Sequence, residues 1–385
     1  MEPLISPDNS LALLAVIASL VAFGFYSERH ATLSKLPGVV WILVGGTLLS
    51  NFGVIPFEAP VYGVIFGYAL PLAVPLLLFK ATFMKVFTES GRILPIFLLG
   101  SIAVVIGALI AFALFDLGPI EPKIAATYTA AWIGGMVNMV ALSEMTQLTP
   151  TEFSIAVGAS APVSIIGLII LCALPAIPAV RKHIPSRLID ETEADGNEGP
   201  SMQDEGVRFR MDHLIGALAL SALICTGSQL LINSGWFPES WNIGTYNLFI
   251  ITLITVLLAN IFSRPMGAIE GDFELGMIFM YFFFAAIGAS TDAVTFLSQA
   301  PIYFAFGLTI ILVHIALVLL AAKLLKFDLA EMIIGSGANI VGAAPAAGIA
   351  SSKGWKSLVT PAIATGMLGY AIANFFGLAL FKLLG

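Results

Sequence analysis

Residues 334–350, IGSGANIVGAAPAAGIA, are apolar enough for membrane depth and still make a poor continuous helix. Gly335 and Gly337 flank Ser336, Asn339 follows, and Pro345 interrupts an alanine-rich run. Glycine weakens the i→i−4 ladder and proline removes a donor from it. In hydrocarbon a freed backbone group is costly, so a broken segment persists only where protein or a water-filled cavity satisfies it. The stretch therefore predicts a discontinuous helix of the kind that frames solute sites in transporters.

A second stretch echoes it. Ile133–Ala141 reads IGGMVNMVA against IGSGANIVG at Ile334–Gly342, so that Gly134 meets Gly335 and Asn138 meets Asn339 without a gap. Amides are scarce in the apolar segments of this chain, and a polar side chain in hydrocarbon needs a partner and tends to be functional. Close helix packing is the plainer reading of the glycines; the paired amides favour a site.

Composition sets the class. The chain has 385 residues, of which 58% are hydrophobic and 11% charged, with a mean hydropathy of +0.98. A soluble domain carries about a quarter charged residues, so this is an integral membrane protein. The net charge of −7 is no partner signal, because many acids sit in one linker. No basic tract or nucleic-acid motif is present. Cys172 and Cys225 lie in apolar segments and read as core packing. The first apolar run follows Glu2 and Asp8 without Lys or Arg, which reads as a retained helix rather than a secretory signal.

Apolar segments fall near 9–26, 37–52, 58–79, 94–116, 124–143 and 153–178, then near 213–233, 244–262, 273–290, 300–322, 330–350 and 357–383. Each approaches the length of a span. The organisation reads as an N-terminal transmembrane repeat (1–180), an acidic flexible linker (181–212) and a C-terminal transmembrane repeat (213–385). The middle of the linker, LIDETEADGNEGPSMQDEG, has no Lys or Arg, a composition that cannot order itself.

Corresponding loops carry opposite cationic bias: 80–92 holds Lys80, Lys85 and Arg92 against none in 290–300, and 323–328 holds Lys323 and Lys326 against Lys123 in 116–123. That pattern suggests inverted repeats. Two six-span halves joined by a soluble linker would be parallel, so inversion requires that one segment does not fully cross. The fold class is all-α, with about 11–12 transmembrane helices in two inverted repeats and discontinuous crossing helices.

The candidate site gathers Asn138 and Asn339 with Gly134, Gly135, Ser336, Gly337, Thr129 and Ser143. Half-helix N-termini there offer N–H groups to an anion, and C-terminal carbonyls with the asparagines offer oxygen to sodium. Glu144, Glu331 and Asp292 lie at segment ends, where interfacial charge or helix capping is the plainer reading. His314 is the ionisable group inside an apolar run; it reads as a neutral histidine on a helix carbonyl, with a proton relay as the alternative. There is no His-Glu-x-x-His zinc pattern, Gly-x-Ser-Gly nucleophile or P-loop, so no enzyme activity and no cofactor beyond sodium are expected.

The run GSGANIVGAAPAAGIASSKGWKSLVTPAIATGMLGYAIANFFGLAL, with AAIGASTD, LLLFKATFMKV and AAWIGGMVNMVALSE, resembles the YjcL-like bacterial membrane family, a domain of unknown function. The likeness extends over nearly the whole chain. It implies kinship with the superfamily of cation/proton antiporters, bile-acid symporters and glutamate symporters. From that kinship follow inverted repeats, broken helices in a core beside a panel or dimerisation domain, and a multi-pass place in the bacterial inner membrane. VGASAPVSIIGL departs from the resemblance, since a family carboxylate and amide are expected there.

These readings converge on a secondary active transporter, a sodium-coupled symporter of a small, anionic organic solute. A cation/proton antiporter and a non-transporting membrane sensor or scaffold are the alternatives. The partners expected are the solute and the lipid bilayer, with a homodimer as a candidate assembly.

Overall fold

Twelve apolar elements follow one another close to the positions that hydropathy marks. In the first half they are α1 (Ser10–Arg29), α2 (Gly38–Asn51), α3 (Pro60–Leu78), α4 (Ile93–Leu114), α5 (Glu121–Met145) and α6 (Pro150–Ala173). In the second they are α7 (Met211–Ile232), α8 (Asn247–Ile261), α9 (Asp272–Ala289), α10 (Ala293–Leu325), α11 in two arms (Leu329–Val341 and Ala343–Ser352) and α12 (Val359–Leu384). The computed structural model describes residues 3–30, 33, 38–81, 88–195, 210–238 and 243–385. Among them no strand occurs, and nine helices are long and apolar enough to cross a membrane.

Local chemistry sets the starts. Asn9 caps α1 by accepting from Ala12 N (3.2 Å). Thr149 and Glu152 form a reciprocal capping box at α6, with Pro150 in the first turn, the arrangement that satisfies two otherwise orphaned donors. Asp292 and Asp328 cap α10 and α11.

Two elements are broken. Gly135 in α5 has φ 72° and ψ −170°; Gly342, between the arms of α11, has φ 86° and ψ −176°. Only glycine enters that region without strain. Both elements reverse there. Lys123 Nζ reaches the Gln147 carbonyl at 3.1 Å, whereas 24 residues of continuous helix would hold those positions about 36 Å apart. Gly337 on the first arm of α11 faces Ala346 and Ile349 on the second. Asp328, at the start of α11, accepts from Ser186 Oγ (2.6 Å), and Lys353, at its end, lines a crevice with Cys172 and Pro178. The crossing of two discontinuous helices is thus corrected to two helical hairpins. A single positive-φ glycine turns the chain back where a proline kink would only have bent it.

The packing separates two bodies that interleave the halves. The core body holds α4, α5, α6, α10, α11 and α12: α5 lies along α12, and α10 packs on both α4 and α6. The panel holds α1, α2, α3, α7, α8 and α9, with α9 against α2 and α3. Small residues allow the close approaches. A methyl group on Gly107 would fall 2.8 Å from the Ile310 carbonyl, and one on Gly288 2.6 Å from that of Leu43.

The element ends form two faces. On the first, Leu4 N meets the Gly53 carbonyl (2.8 Å), Asn51 Nδ2 donates to the Thr291 carbonyl (2.8 Å), Ser228 meets Asn247 (2.8 Å), and Gly385 lies against Pro122. On the second, Lys80 pairs with Asp272 (2.6 Å), Arg92 with Glu331 (3.5 Å), Glu270 N donates to His213 (3.1 Å), and Asn260 Nδ2 donates to the Ala81 carbonyl (3.2 Å). Helices Pro178–His183 and Arg187–Asp195 also lie at the second face. They occupy the beginning of the segment read as a flexible linker; residues 196–209, most of its acidic middle, lie outside the described residues, as does Lys85.

Candidate functional site

The hairpin tips converge on one side chain. A methyl group built on Gly135 would lie 3.5 Å from Cε1 of Tyr370, and one on Gly342 would lie 3.7 Å from its hydroxyl. Tyr370 belongs to α12, along which α5 runs, and Gly366, one turn earlier, abuts Ala343. At each tip the last carbonyls of one half-helix stand beside the first N–H groups of the next. Each tip therefore presents acceptors and donors together, from groups with no intrahelical partner.

Beside the tips lies a cavity of about 570 Å³ between the two bodies. The core contributes Trp132, Gly135, Met136, Val137, Ser160, Ser164, Ile340, Val341 and Pro345. The panel contributes Glu28, Val39, Leu77, Met277, Met280, Tyr281 and Phe284. Since Glu28, Val39 and Leu77 stand at the second-face ends of α1, α2 and α3, the cavity leads from the tips towards that face. Trp132 Nε1 donates to Ser164 Oγ (2.9 Å), which fixes the indole in the wall. Tyr281 donates its hydroxyl to Glu28, and Gly38 N donates to the same oxygen at 3.2 Å.

The amides stand elsewhere. Asn138 donates to the Gly134 carbonyl (2.7 Å) and is 1% exposed. Gly134 itself has no room for a side chain, since a methyl group would meet Asn138 at 2.3 Å and the Gly369 carbonyl at 2.4 Å. Asn339 faces α4. With the amide oriented to satisfy both ends, its oxygen accepts from Ser101 Oγ (3.0 Å) and its nitrogen donates to the carbonyls of Phe97 (3.2 Å) and Gly335 (3.3 Å). Neither asparagine lines the cavity. The breaks also fix a different register. The glycines are 207 positions apart and the asparagines 201, so matching Gly135 to Gly342 pairs Asn138 with Pro345 and Trp132 with Asn339. The gap-free echo between the amides is corrected by six residues.

Ser336 belongs to the same buried network as Asn339. His314 Nδ1 lies 3.0 Å from the Gly100 carbonyl, and Nε2 lies 2.7 Å from Ser336 Oγ. A carbonyl only accepts, so Nδ1 carries the hydrogen and Nε2 accepts from the serine. A neutral ring is thereby satisfied at both nitrogens. Ser143 bonds back to the Val140 carbonyl (2.7 Å), and Thr129 Oγ1 is buried without a hydrogen-bond partner among the described residues. Gly337 packs between the hairpin arms. Glu144 is exposed at the first-face end of α5, and Glu331 pairs with Arg92 at the second. Asp292 accepts from Thr295 N (2.9 Å) and Oγ1 (2.5 Å), bonds that hold its carboxyl below the usual carboxylate range.

Of the candidate site residues named from the sequence, Gly135 alone lines the cavity. Trp132, Tyr370, Tyr281 and Glu28 were not singled out. The Gly134–Gly135 doublet marks where α5 can reverse, but nothing in the sequence marks Tyr370, Tyr281 or Glu28. Glu28 is the charged side chain among the described lining residues, and no Lys or Arg stands there. That wall gives no support to an anionic solute.

The family model described as "Protein of unknown function (DUF819)" matches residues 15–384. The "Uncharacterized membrane protein YjcL" of Bacillus subtilis (strain 168) is 33% identical over 390 residues, spanning 98% of this chain and 97% of that protein. The landmarks that suggested the likeness include both broken elements, and the match runs through all twelve. The chain belongs to the DUF819 family of membrane proteins.

Proposed function

We propose that the protein is a secondary active transporter working by alternating access, with the cavity at the hairpin tips as its solute site. One observation carries the reading: two broken hairpins, one from each half, end together at a cavity that divides the core body from the panel. Discontinuous elements at membrane depth are where carriers hold solutes and coupling ions.

The halves read as inverted repeats. If each hairpin enters and leaves by one face, each half has five crossings, and α1 then starts at the first face while α7 starts at the second. An odd number of crossings resolves the parity problem of six apolar segments per half. Cationic residues give the orientation. Among the described residues Lys123 and Lys382 belong to the first face, and the remaining Lys and Arg belong to the second. The second face is then cytoplasmic, the membrane is the bacterial inner membrane, and the cavity is open inward.

Sodium is the proposed coupling ion, supported by buried oxygens on packed elements of the core: Thr129 Oγ1 of α5 and Asn374 Oδ1 of α12 lack hydrogen-bond partners among the described residues. A second reading, cation/proton antiport, is favoured by Glu28, a carboxylate in the cavity wall that the broken segments themselves lack. The wall offers no constellation for catalysis, so transport without chemistry is the proposal.

Single cysteines at Ser164 in the cavity and Ser154 on the first-face side of α6, in a Cys172→Ala, Cys225→Ala background, test alternating access with a membrane-impermeant maleimide. Position 164 should label from the cytoplasmic side at rest and lose reactivity when an imposed ion gradient drives the carrier outward. Reactivity fixed to one side under every gradient would refute transport.

A further inference from the structure

We propose that the solute held in this cavity is an organic cation with an apolar body, its ammonium group bound by Glu28. The proposal rests on the solute-site reading above and adds the chemical class.

Charge decides first. The described lining contains one carboxylate and no Lys, Arg or His. Half-helix N-termini at the tips would attract an anion. Each is paired at the same glycine with the C-terminus of the preceding half-helix, whose carbonyls carry the opposite partial charge. The two ends oppose each other, and the net field at the cavity is set by Glu28.

The carboxylate is arranged to receive a further donor. Tyr281 Oη and Gly38 N both donate to Oε1 of Glu28. Oε2 has no donor among the described residues. Tyr281 is 2% exposed, so it anchors the carboxylate from within the wall, while Glu28 itself is exposed at the mouth. An ammonium on Oε2 would complete the coordination.

The rest of the wall suits the body of such a solute. Met136, Met277 and Met280 supply polarizable, adaptable surface, and Trp132, Tyr281 and Phe284 supply aromatic rings. Thioethers fill irregular apolar space, and aromatic faces attract cations that leave water. The ammonium therefore lies at the cytoplasmic mouth beside Glu28, and the apolar body lies along the methionine and aromatic wall.

Three ligands of similar shape test this with the purified full-length protein: 4-phenylbutylammonium, 4-phenylbutanol and 4-phenylbutyrate, with dissociation constants from calorimetric titration at neutral pH. The amine should bind at least tenfold tighter than the carboxylate, with the alcohol between. Glu28→Gln should weaken the amine about tenfold, leave the alcohol within twofold, and abolish the preference. Tyr281→Phe, which keeps the carboxylate, should retain it, and Glu270→Gln, a carboxylate outside the cavity, should change nothing. Equal or tighter binding of the carboxylate, equal weakening of amine and alcohol by Glu28→Gln, or no binding by any of the three would overturn the proposal. Amine selectivity through Glu28 in a protein whose maleimide labelling never changes side would keep this inference and remove the transport reading.

Discussion

Alanine at the two hairpin tips isolates the conformation on which the architecture depends. Gly135 and Gly342 occupy φ 72° and 86° with ψ near extended, a region that a side chain enters at about 1–3 kcal/mol. The added methyl group would meet little: Tyr370 at 3.5 Å from position 135 and at 3.7 Å from position 342. Those are ordinary contacts, so the cost is almost wholly backbone strain. Gly348 is the internal control. It lies in the second arm of α11 with nothing within 4 Å of a built methyl group, and Gly→Ala at a compatible helical position stabilises by about 0.4–1 kcal/mol. The same chemical change should therefore act with opposite sign at the reversed glycines, Gly135 and Gly342, and at the helical one, Gly348. We expect Gly135→Ala and Gly342→Ala to lower the thermal midpoint in detergent and Gly348→Ala to hold or raise it, with a spread of at least about 1.5 kcal/mol between the classes. If all three variants shift the midpoint alike, the chain does not reverse at these glycines.

Cysteines at Lys123 and Gln147, in a background without Cys172 and Cys225, should join through a short bifunctional reagent, because Lys123 reaches the Gln147 carbonyl at 3.1 Å; failure to crosslink in folded protein would indicate a straight α5. Lys80→Ala leaves the 2%-exposed Asp272 without its ion-pair partner and should cost about 1–3 kcal/mol in denaturant titrations. Adding Asp272→Asn should recover part of that loss, and strict additivity would deny the pair. Asp292 is held below the usual carboxylate range by Thr295, so its contribution is complete above that range and disappears as pH falls through the lower, folded value. Thr295→Val should make stability less sensitive to acid, as midpoints measured from neutral pH downward would reveal. Sodium should raise the thermal midpoint while potassium and choline at equal ionic strength do not, by about 2.7 kcal/mol at a hundredfold excess over its dissociation constant; equal shifts with all three would refute sodium binding.

Hydropathy made the twelve elements legible because bilayer thickness sets a length that composition alone satisfies. α5 and α11 were legible as broken, since glycine and proline stand out against leucine-rich neighbours, but not as hairpins. Reversal depends on one residue taking positive φ, and Gly134, Gly135, Gly335, Gly337 and Gly342 are equal candidates in sequence. Gly134 proved to be a packing glycine against Gly369, and Gly337 faces the returning arm. The amides stand away from the cavity for a related reason. A polar side chain inside hydrocarbon must find a partner, and Asn138 and Asn339 find theirs in the carbonyls and hydroxyl of the core body itself. Scarcity marked them correctly as constrained, yet a brace and a ligand carry the same signal in sequence. The wall residues Trp132 and Tyr281 gave no such signal, because aromatic side chains are ordinary in apolar helices.

The polar bonds also indicate where the two bodies are tied and where they are free to part. Within the core, Ser336 and Asn339 fasten the first arm of α11 to α10 and α4. Within the panel, Ser221 and Cys225 of α7 donate to the carbonyls of Leu72 and Pro71 in α3 (2.7 and 3.2 Å). Pro75 has no N–H for the Pro71 carbonyl, so the thiol replaces a bond the helix cannot make. Between the bodies, the polar ties gather at the first face, around the turn from α9 to α10. Asn51 Nδ2 donates to the Thr291 carbonyl, Ala293 N donates to Asn51 Oδ1 (3.1 Å), and Asp292 N donates to Thr151 Oγ1 (3.3 Å). At the level of the cavity the facing surfaces are mostly methionine, aromatic and aliphatic, and such surfaces slide without leaving a donor unpaired. A core that rocks on the first-face turn would keep its own braces intact while the cavity closes on one side and opens on the other. The hairpin tips would then travel with the core as one rigid unit, and Glu28 and Tyr281 would stay behind with the panel.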